Sequence, residues 1–432
     1  MDMLLIHNAN EVLTLQSDTK GPRTREAMSH LGVIENASVL VEGDRIVAVG
    51  PLAELEERYS EKVKKAKRID ATGKVVMPGL VDCHTHLVHG GTREHELNMR
   101  LAGKTYMEIM NAGGGIHYTT TKTREASFEE LYEKTSRHLD QFLQYGVTTV
   151  EAKSGYGLDW ETEKKQLEVA KKLQETHPVD VVSTFMGAHA VPKEYKGNEE
   201  AFVDMVIDEM LPKVAELKLA EFNDVFCEKG VFTPEQSRRI LEAGKRYGLI
   251  PKIHADEIEP YEGAELAAEV EAISAEHLLV ASDEGIEKMA AAGTIAVLLP
   301  GTAFFLRAPF ARGRLMVDRG VPVAISTDFN PGSSPTISLP FIQNLACMNM
   351  GMTMEEVLCA TTINAAHAIN RGDEIGTIEA GKKADLLILN VPNYKQLQYF
   401  YGMNHIDTVV KAGEVVVEGG ALCSSATTVS NR

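Results

Sequence analysis

The sequence predicts an α/β protein, a closed TIM-like (β/α)8 barrel joined to a small β-sandwich domain built from both chain termini. Three observations predict it. Eight short apolar strands alternate with amphipathic helices through the middle of the chain. Strand-like runs with few helical patterns occupy both ends. The middle strands finish in histidine, lysine or carboxylate, where barrel enzymes place their chemistry.

The ends are built alike. Residues 4–15, 37–50 and 66–78 carry alternating or β-branched runs such as ASVLVEGDRIVAVG, punctuated by Gly and Asp turns. ADLLILN (384–390) and DTVVKAGEVVVEGG (407–420) repeat that style. A composite domain of residues 1–77 plus 374–432 is therefore expected, enclosing a barrel over 78–373.

The barrel strands are read at LVDCHTH (80–86), TTVEAK (148–153), DVVSTFMGAH (180–189) and NDVFCE (223–228). The second four are PKIHAD (251–256), AISAEHL (272–278), TIAVLLP (294–300) and VPVAISTD (321–328). Helices follow at 128–146, 161–175 and 234–248, and a further apolar-faced helix is expected over 353–370, where His367 reads as structural. A doubly wound open sheet is the rival. The strand ends argue against it, because they carry His84, His86, Lys153, His189, Glu228, His254, His277 and Asp328. One such residue is readily a satisfied core group, but an unpaired polar group inside costs roughly 2–7 kcal/mol, and eight at one end of a barrel call for a common purpose.

Composition narrows the partners. The chain has 432 residues, 44% hydrophobic and 25% charged, which is globular. Its 44 Lys and Arg against 62 Asp and Glu give a net charge of −18, excluding nucleic-acid backbones and anionic membranes as main partners. The five cysteines are scattered and include no CxxC, which excludes a disulfide framework or a thiolate zinc site. The N-terminus reads as no targeting segment, and the longest uncharged stretch, 329–354, is broken by Pro331, Pro335 and Pro340. A cytoplasmic protein without a membrane span is expected.

His84-Thr85-His86 places two imidazoles at i and i+2 on one strand face. His254 adds a nitrogen and Asp328 an oxygen. Three imidazoles and one carboxylate suit zinc or a similar divalent ion, which lowers the pKa of the water it binds and polarises a carbonyl. Glu257 and His277, at the mouths of strands five and six, suit proton transfer or the orientation of ligands. Cys83 points away from the HxH face by alternation and Cys227 has no adjacent histidine, so both read as buried small hydrophobes. The run Gly113-Gly114-Gly115 lacks a phosphate-binding lysine and reads as a tight loop.

PGLVDCHTH, the histidines on strands five and six, STD on strand eight and GTIEAGKKADLLIL near the end resemble the amidohydrolase superfamily over essentially the whole chain. Binuclear members bridge two metals through a carboxylated lysine on strand four. Here strand four ends in Glu228 followed by Lys229, and the strand-ending lysine is Lys153 on strand two, so one ion is expected. The loops 86–116, 151–159, 185–192, 223–233 and 326–335 resemble those of the members that open 4-imidazolone-5-propanoate to N-formimidoyl-L-glutamate, the third step of histidine degradation.

That resemblance implies one zinc or iron ion on His84, His86, His254 and Asp328, and it also implies a homodimer. It places Arg93, Tyr156, His189, Glu257, Asn330, Gly332 and Ser333 around the substrate. The implied reaction is metal-assisted hydrolysis, with Asp328 or Glu257 taking a water proton and His277 stabilising the oxyanion. Arg93 suits the propanoate, since its planar fork grips a carboxylate against the field of an acidic protein. The alternative is a surface arginine paired with Glu94 or Glu96. Tyr156, between glycines in SGYGLD, is either a ligand contact or an ordinary loop residue. Two rival functions remain at this level. One is an aminohydrolase of a purine or pyrimidine base, which has no use for Arg93; the other is a metal-free scaffold, which has no use for the four ligands.

Overall fold

A computed structural model of the protein describes residues 2–18, 20–104, 108 and 113–423. Parts of the 86–116 loop and of the 374–432 segment read from the sequence therefore lie outside the described residues.

Eight parallel strands form one sheet in sequence order: β1 (Leu80–Asp82), β2 (Val147–Lys153), β3 (Asp180–Ala188), β4 (Phe222–Cys227), β5 (Ile250–Ala255), β6 (Ser274–His277), β7 (Ile295–Leu298) and β8 (Val323–Ile325). Every strand is buried along most of its length, as expected of a parallel sheet covered by helices. Closure occurs just beyond the ends of β1 and β8. Thr85 bridges Phe329 in parallel, the His86 N–H donates to the Phe329 carbonyl (2.9 Å) and the Asp328 N–H to that of His84 (3.1 Å). Asp82 fastens the same seam by accepting from the Thr327 N–H (3.2 Å) and the Thr327 hydroxyl (2.6 Å). The ladder that closes the barrel is thus the one that carries His84, His86 and Asp328.

Strands one and eight are shorter than their apolar patterns predict. Asp328 (φ 53°), just past strand eight, and His277 (φ 71°), the last residue of strand six, adopt left-handed backbone conformations that non-glycine residues rarely take. Helix starts agree with capping chemistry. Ser127 and Glu130 make a reciprocal capping box ahead of Phe128–Gln144, and Thr233 and Gln236 do the same for Pro234–Arg246. The single helix expected over 353–370 is instead two, Met354–Ala360 and Ile363–Ala368. Between them Thr361 and Thr362 turn their hydroxyls back onto the carbonyls of Val357 (2.8 Å) and Leu358 (2.6 Å), and Thr362 leaves helical geometry.

Both termini build a second, mixed sheet of nine strands. Met3–Leu13, Val33–Glu42 and Arg45–Pro51 run antiparallel at one side, and Ile406–Lys411, Glu414–Glu418 and Ala421–Leu422 at the other. The halves join where Leu386–Leu389 pairs antiparallel with Val75–Pro78. Residues from both halves, including Ile6, Val39, Val76, Leu386 and Val410, share one buried cluster. The other face packs Leu5 and Leu40 against Leu55 and Val63 of two short helices. At the start of β3, Asp180 pairs with Lys383 and Lys411 (both 2.6 Å), tying this sheet to the barrel end opposite the histidines. Among the described residues, no helix is long and apolar enough to cross a membrane.

Candidate metal centre and substrate cavity

The residues beyond β1, β5, β6 and β8 converge. His84, His86 and His254 offer ligand atoms within 4.8 Å of one another, and so do His84, His277 and Asp328. The Nε2 atoms of His86 and His254 are 3.3 Å apart, and His84 Nε2 lies 3.4 Å from Asp328 Oδ1. Two of the imidazoles have their tautomers set from behind. His84 Nδ1–H donates to Glu276 Oε2 (2.6 Å) and His254 Nδ1–H to Asp224 Oδ1 (3.0 Å), because a carboxylate there can only accept. Each is left with a bare Nε2 lone pair toward the others.

His84 Nε2 and Asp328 Oδ1 are buried with no hydrogen-bond partner among the described residues. Lone pairs crowded together and unpartnered are costly, and a divalent cation resolves that cost. The donor set of three imidazoles and one carboxylate fits such an ion. Burial holds His84 and His86 well below the usual imidazole range, keeping them neutral as a ligand must be.

A cavity of about 680 Å³ opens above this cluster, lined by His86, Arg93, Tyr156, His189, His254, Glu257, His277, Asp328, Asn330, Gly332 and Ser333. His84 sits beneath its floor. His189 Nδ1–H donates to the Gly155 carbonyl (3.0 Å), which leaves Nε2 unprotonated, and its ring stacks on His86 at 4.7 Å. Gly155 (φ 107°) is needed there, since a Cβ would lie 2.9 Å from His189. Buried Glu163 clamps the Tyr156 loop by accepting from the N–H groups of Gly155 (3.0 Å), Gly157 (2.7 Å) and Leu158 (2.9 Å). Burial, reinforced by the Asp328 and Glu228 carboxylates, raises Glu257 to about 8. Its Oε2 lies 3.6 Å from His277 Nε2.

Arg93 is not a surface residue. Its Nε and Nη2 both donate to Glu96 (2.9 Å each), itself 2% exposed, and Arg100 Nη2 approaches the same carboxylate at 3.6 Å. Two guanidiniums thus share one carboxylate, and the cavity wall keeps a net positive charge. The fork expected to hold a ligand is occupied by Glu96, so the remaining Nη edge, packed on Gly332, is what faces the cavity; a Cβ at Gly332 would overlap it. Asn330 is also engaged. Its Oδ1 accepts the N–H groups of Gly332 and Ser333 (2.8 Å each) and its amide donates to the Asp328 carbonyl (2.7 Å), so it shapes this loop.

Two of the polar strand ends serve elsewhere. Glu228 accepts the N–H groups of Glu257 (3.1 Å), Ile258 (2.9 Å) and Glu259 (3.1 Å), and Lys153 lies below the ligands between Glu151 and Asp224. Cys83 and Cys227 are buried, and burial pushes the Cys227 thiol up to about 12. The sequence reading missed Arg100, Asp224 and Glu276, and named Glu96 only as the partner of a surface Arg93, where the pair is in fact buried. Arg93, Glu96 and Arg100 stand at i, i+3 and i+7, a shared helix face that was visible in the chain.

The amidohydrolase family model matches residues 75–416, and a bacterial imidazolonepropionase-like composite domain matches residues 39–59. An imidazolonepropionase of a Geobacillus species (strain WCH70) is 66% identical over 423 residues, covering 98% of this chain and 100% of that protein. The chain belongs to the imidazolonepropionase branch of the amidohydrolase family. An imidazolonepropionase of Brevibacillus brevis is 64% identical over 417 residues, covering 96% and 98%. Distant solved structures share the fold. An adenosine deaminase from Xanthomonas campestris with bound zinc superposes with a TM-score of 0.72 at 19% identity over 98% of this chain and 94% of its own. An atrazine chlorohydrolase from Arthrobacter aurescens complexed with zinc gives 0.69 at 18% over 99% of both.

Proposed function

We propose that this chain hydrolyses the cyclic amide of 4-imidazolone-5-propanoate to N-formimidoyl-L-glutamate, using one zinc or iron ion held by His84, His86, His254 and Asp328. The observation that carries this reading is one cavity with a histidine cluster on its floor and the Arg93–Arg100–Glu96 group on its wall. That pairing suits a ring carbonyl below and a carboxylate to the side. When bound, a divalent ion lowers the pKa of water and polarises a carbonyl.

The chain's own residues do the rest. Arg93 orients the propanoate from the Nη edge that Glu96 leaves open. Tyr156 and His189 pack beside His86 and wall the ring in, the unprotonated Nε2 of His189 being a ready acceptor. Glu257 or Asp328 takes the water proton, and a proton is returned to the departing ring nitrogen. His277 donates to the oxygen on which charge develops. Asn330, Gly332 and Ser333 form the loop on which the Arg93 guanidinium rests. A division into 1–77 plus 374–432 and 78–373 is supported by a mixed sheet that draws its strands from both ends of the chain, with the barrel strands between them, although strand Val75–Pro78 crosses the first boundary.

The test is turnover of freshly prepared imidazolonepropanoate, with a purine and a dihydropyrimidine as controls; selective turnover of either control overturns the reading. Metal content gives a separate prediction. Purified protein holds about one divalent ion per chain and loses activity to chelators, because Lys153, as an ammonium between Glu151 and Asp224, is not available as a bridging carbamate. Two tightly held ions, measured reproducibly by elemental analysis, refute that stoichiometry. Gly332→Ala pushes the Arg93 guanidinium off its seat. Overpacking of about 1–3 kcal/mol lowers kcat/KM about tenfold or more with metal content unchanged, as steady-state kinetics alongside metal analysis will show.

A further inference from the structure

Beneath the candidate ligands, the barrel interior holds five charged side chains that the proposed reaction does not touch. Glu151 and Lys153 stand on β2, Asp224 on β4, Lys252 on β5 and Glu276 on β6, each at most 1% exposed. Inward positions of such barrels ordinarily carry branched aliphatic side chains. A buried charge costs several kcal/mol unless it is paired, so five together need both partners and a reason.

The partners form an unbroken chain. Lys153 Nζ lies 2.8 Å from Asp224 and 2.9 Å from Glu151, while Lys252 Nζ lies 3.1 Å from Glu151 and 3.5 Å from Glu276. At its two ends this chain meets the imidazoles, through Asp224 on His254 and Glu276 on His84. Glu151 is the joint, and both lysines address the same oxygen, Oε1.

We propose that Glu151 is a positioning residue of the metal centre: through Lys153 and Lys252 it locks the carboxylates behind His254 and His84 into one unit that presents both Nε2 atoms together. The proposal rests on the reading of His84, His86, His254 and Asp328 as a metal site. Three carboxylates and two ammoniums give this unit a net charge of −1. Together with Asp328, that matches a divalent cation. Without the Glu151 charge, Lys153 turns wholly to Asp224 and Lys252 to Glu276. Each carboxylate then shares its lone pairs more with an ammonium and less with its imidazole, and the imidazoles become poorer donors.

The experiment measures zinc affinity of full-length apoprotein by competition with a chromophoric chelator, and the visible spectrum of the cobalt(II)-loaded protein. Glu151→Gln keeps the side-chain shape. Removing a direct outer partner of a ligand weakens binding about 10–100-fold, and Glu151 acts one ion pair further away, so a loss of about tenfold is expected. The cobalt bands shift as well. KM stays near wild type, because Glu151 does not reach the cavity.

Unchanged affinity and unchanged bands overturn the proposal even if the melting temperature of the apoprotein falls, since that pattern is a packing role alone. Wild-type protein that fails to bind zinc overturns the metal-site reading and this inference with it. Should Glu151→Gln not fold, Glu151→Asp, which keeps the charge but draws it back from both lysines, is read by the same two measurements. Weaker zinc binding with shifted bands supports the proposal; wild-type values for both overturn it.

Discussion

Replacing His277 by alanine lowers kcat by about two to four orders of magnitude, about 3–5 kcal/mol, and leaves the metal content at about one ion per chain. The imidazole lines the cavity, and its ring centroid lies 5.2 Å from that of His254 and 5.5 Å from that of His84. It therefore stands close enough to be confused with a ligand. Its backing is different. His84 and His254 are each held by a buried carboxylate through Nδ1, whereas His277 points Nε2 at Glu257, a side chain that also lines the cavity. That arrangement suits a group acting on substrate. Elemental analysis of His277→Ala decides the matter, since an emptied site makes His277 a ligand and removes it from proton transfer. Glu257→Gln supplies the companion measurement. A comparable loss of kcat with full metal content identifies Glu257 as the base; retained turnover hands that role to Asp328.

What the chain alone revealed, and what it hid, divides along a physical line. The convergence of His84, His86, His254 and Asp328 was legible because barrels gather polar side chains at one end of their strands, and strand alternation says which residues share a face. The layer below them was not. Glu151, Asp224 and Glu276 look like ordinary polar interruptions inside strands, and their meaning lies in pairings with lysines on other strands. Lys153 drew attention only as a polar strand end on the wrong strand to bridge two metals, although Glu-x-Lys on β2 already puts two opposite charges on one face. Glu163 escaped, and Glu228 was read only as one more polar strand end, for another reason. Both spend their carboxylates on backbone N–H groups of neighbouring loops, and backbone partners leave no trace in residue identity. The left-handed conformations of His277 and Asp328 were equally hidden, because a positive φ at a non-glycine residue leaves no mark in residue type.

Arg93→Ala loses at least about two orders of magnitude in kcat/KM toward imidazolonepropanoate, and Arg93→Lys fares almost as badly. A charged hydrogen bond is worth roughly 1.5–3 kcal/mol, and two contacts to the propanoate disappear together. The structure adds a second cost. Glu96 is 2% exposed and has Arg93 as its bidentate partner, so truncation leaves that buried carboxylate with the Gly115 N–H (2.7 Å) and Arg100, 3.6 Å away, whose charge then balances it. The wall then loses its net positive charge, and the substrate anion meets a neutral surface. Lysine restores the charge but not the planar fork, so it can serve Glu96 or the propanoate but not both. Part of the loss falls on kcat, because binding energy at the remote carboxylate is what sets the ring over the histidine floor. The decisive comparison uses imidazolonepropanoate and a ring lacking the carboxylate, each on wild type and Arg93→Ala. The anionic substrate should suffer the larger factor. Equal factors for the two show that Arg93 does not read the carboxylate, and the wall would then owe its charge to some other task.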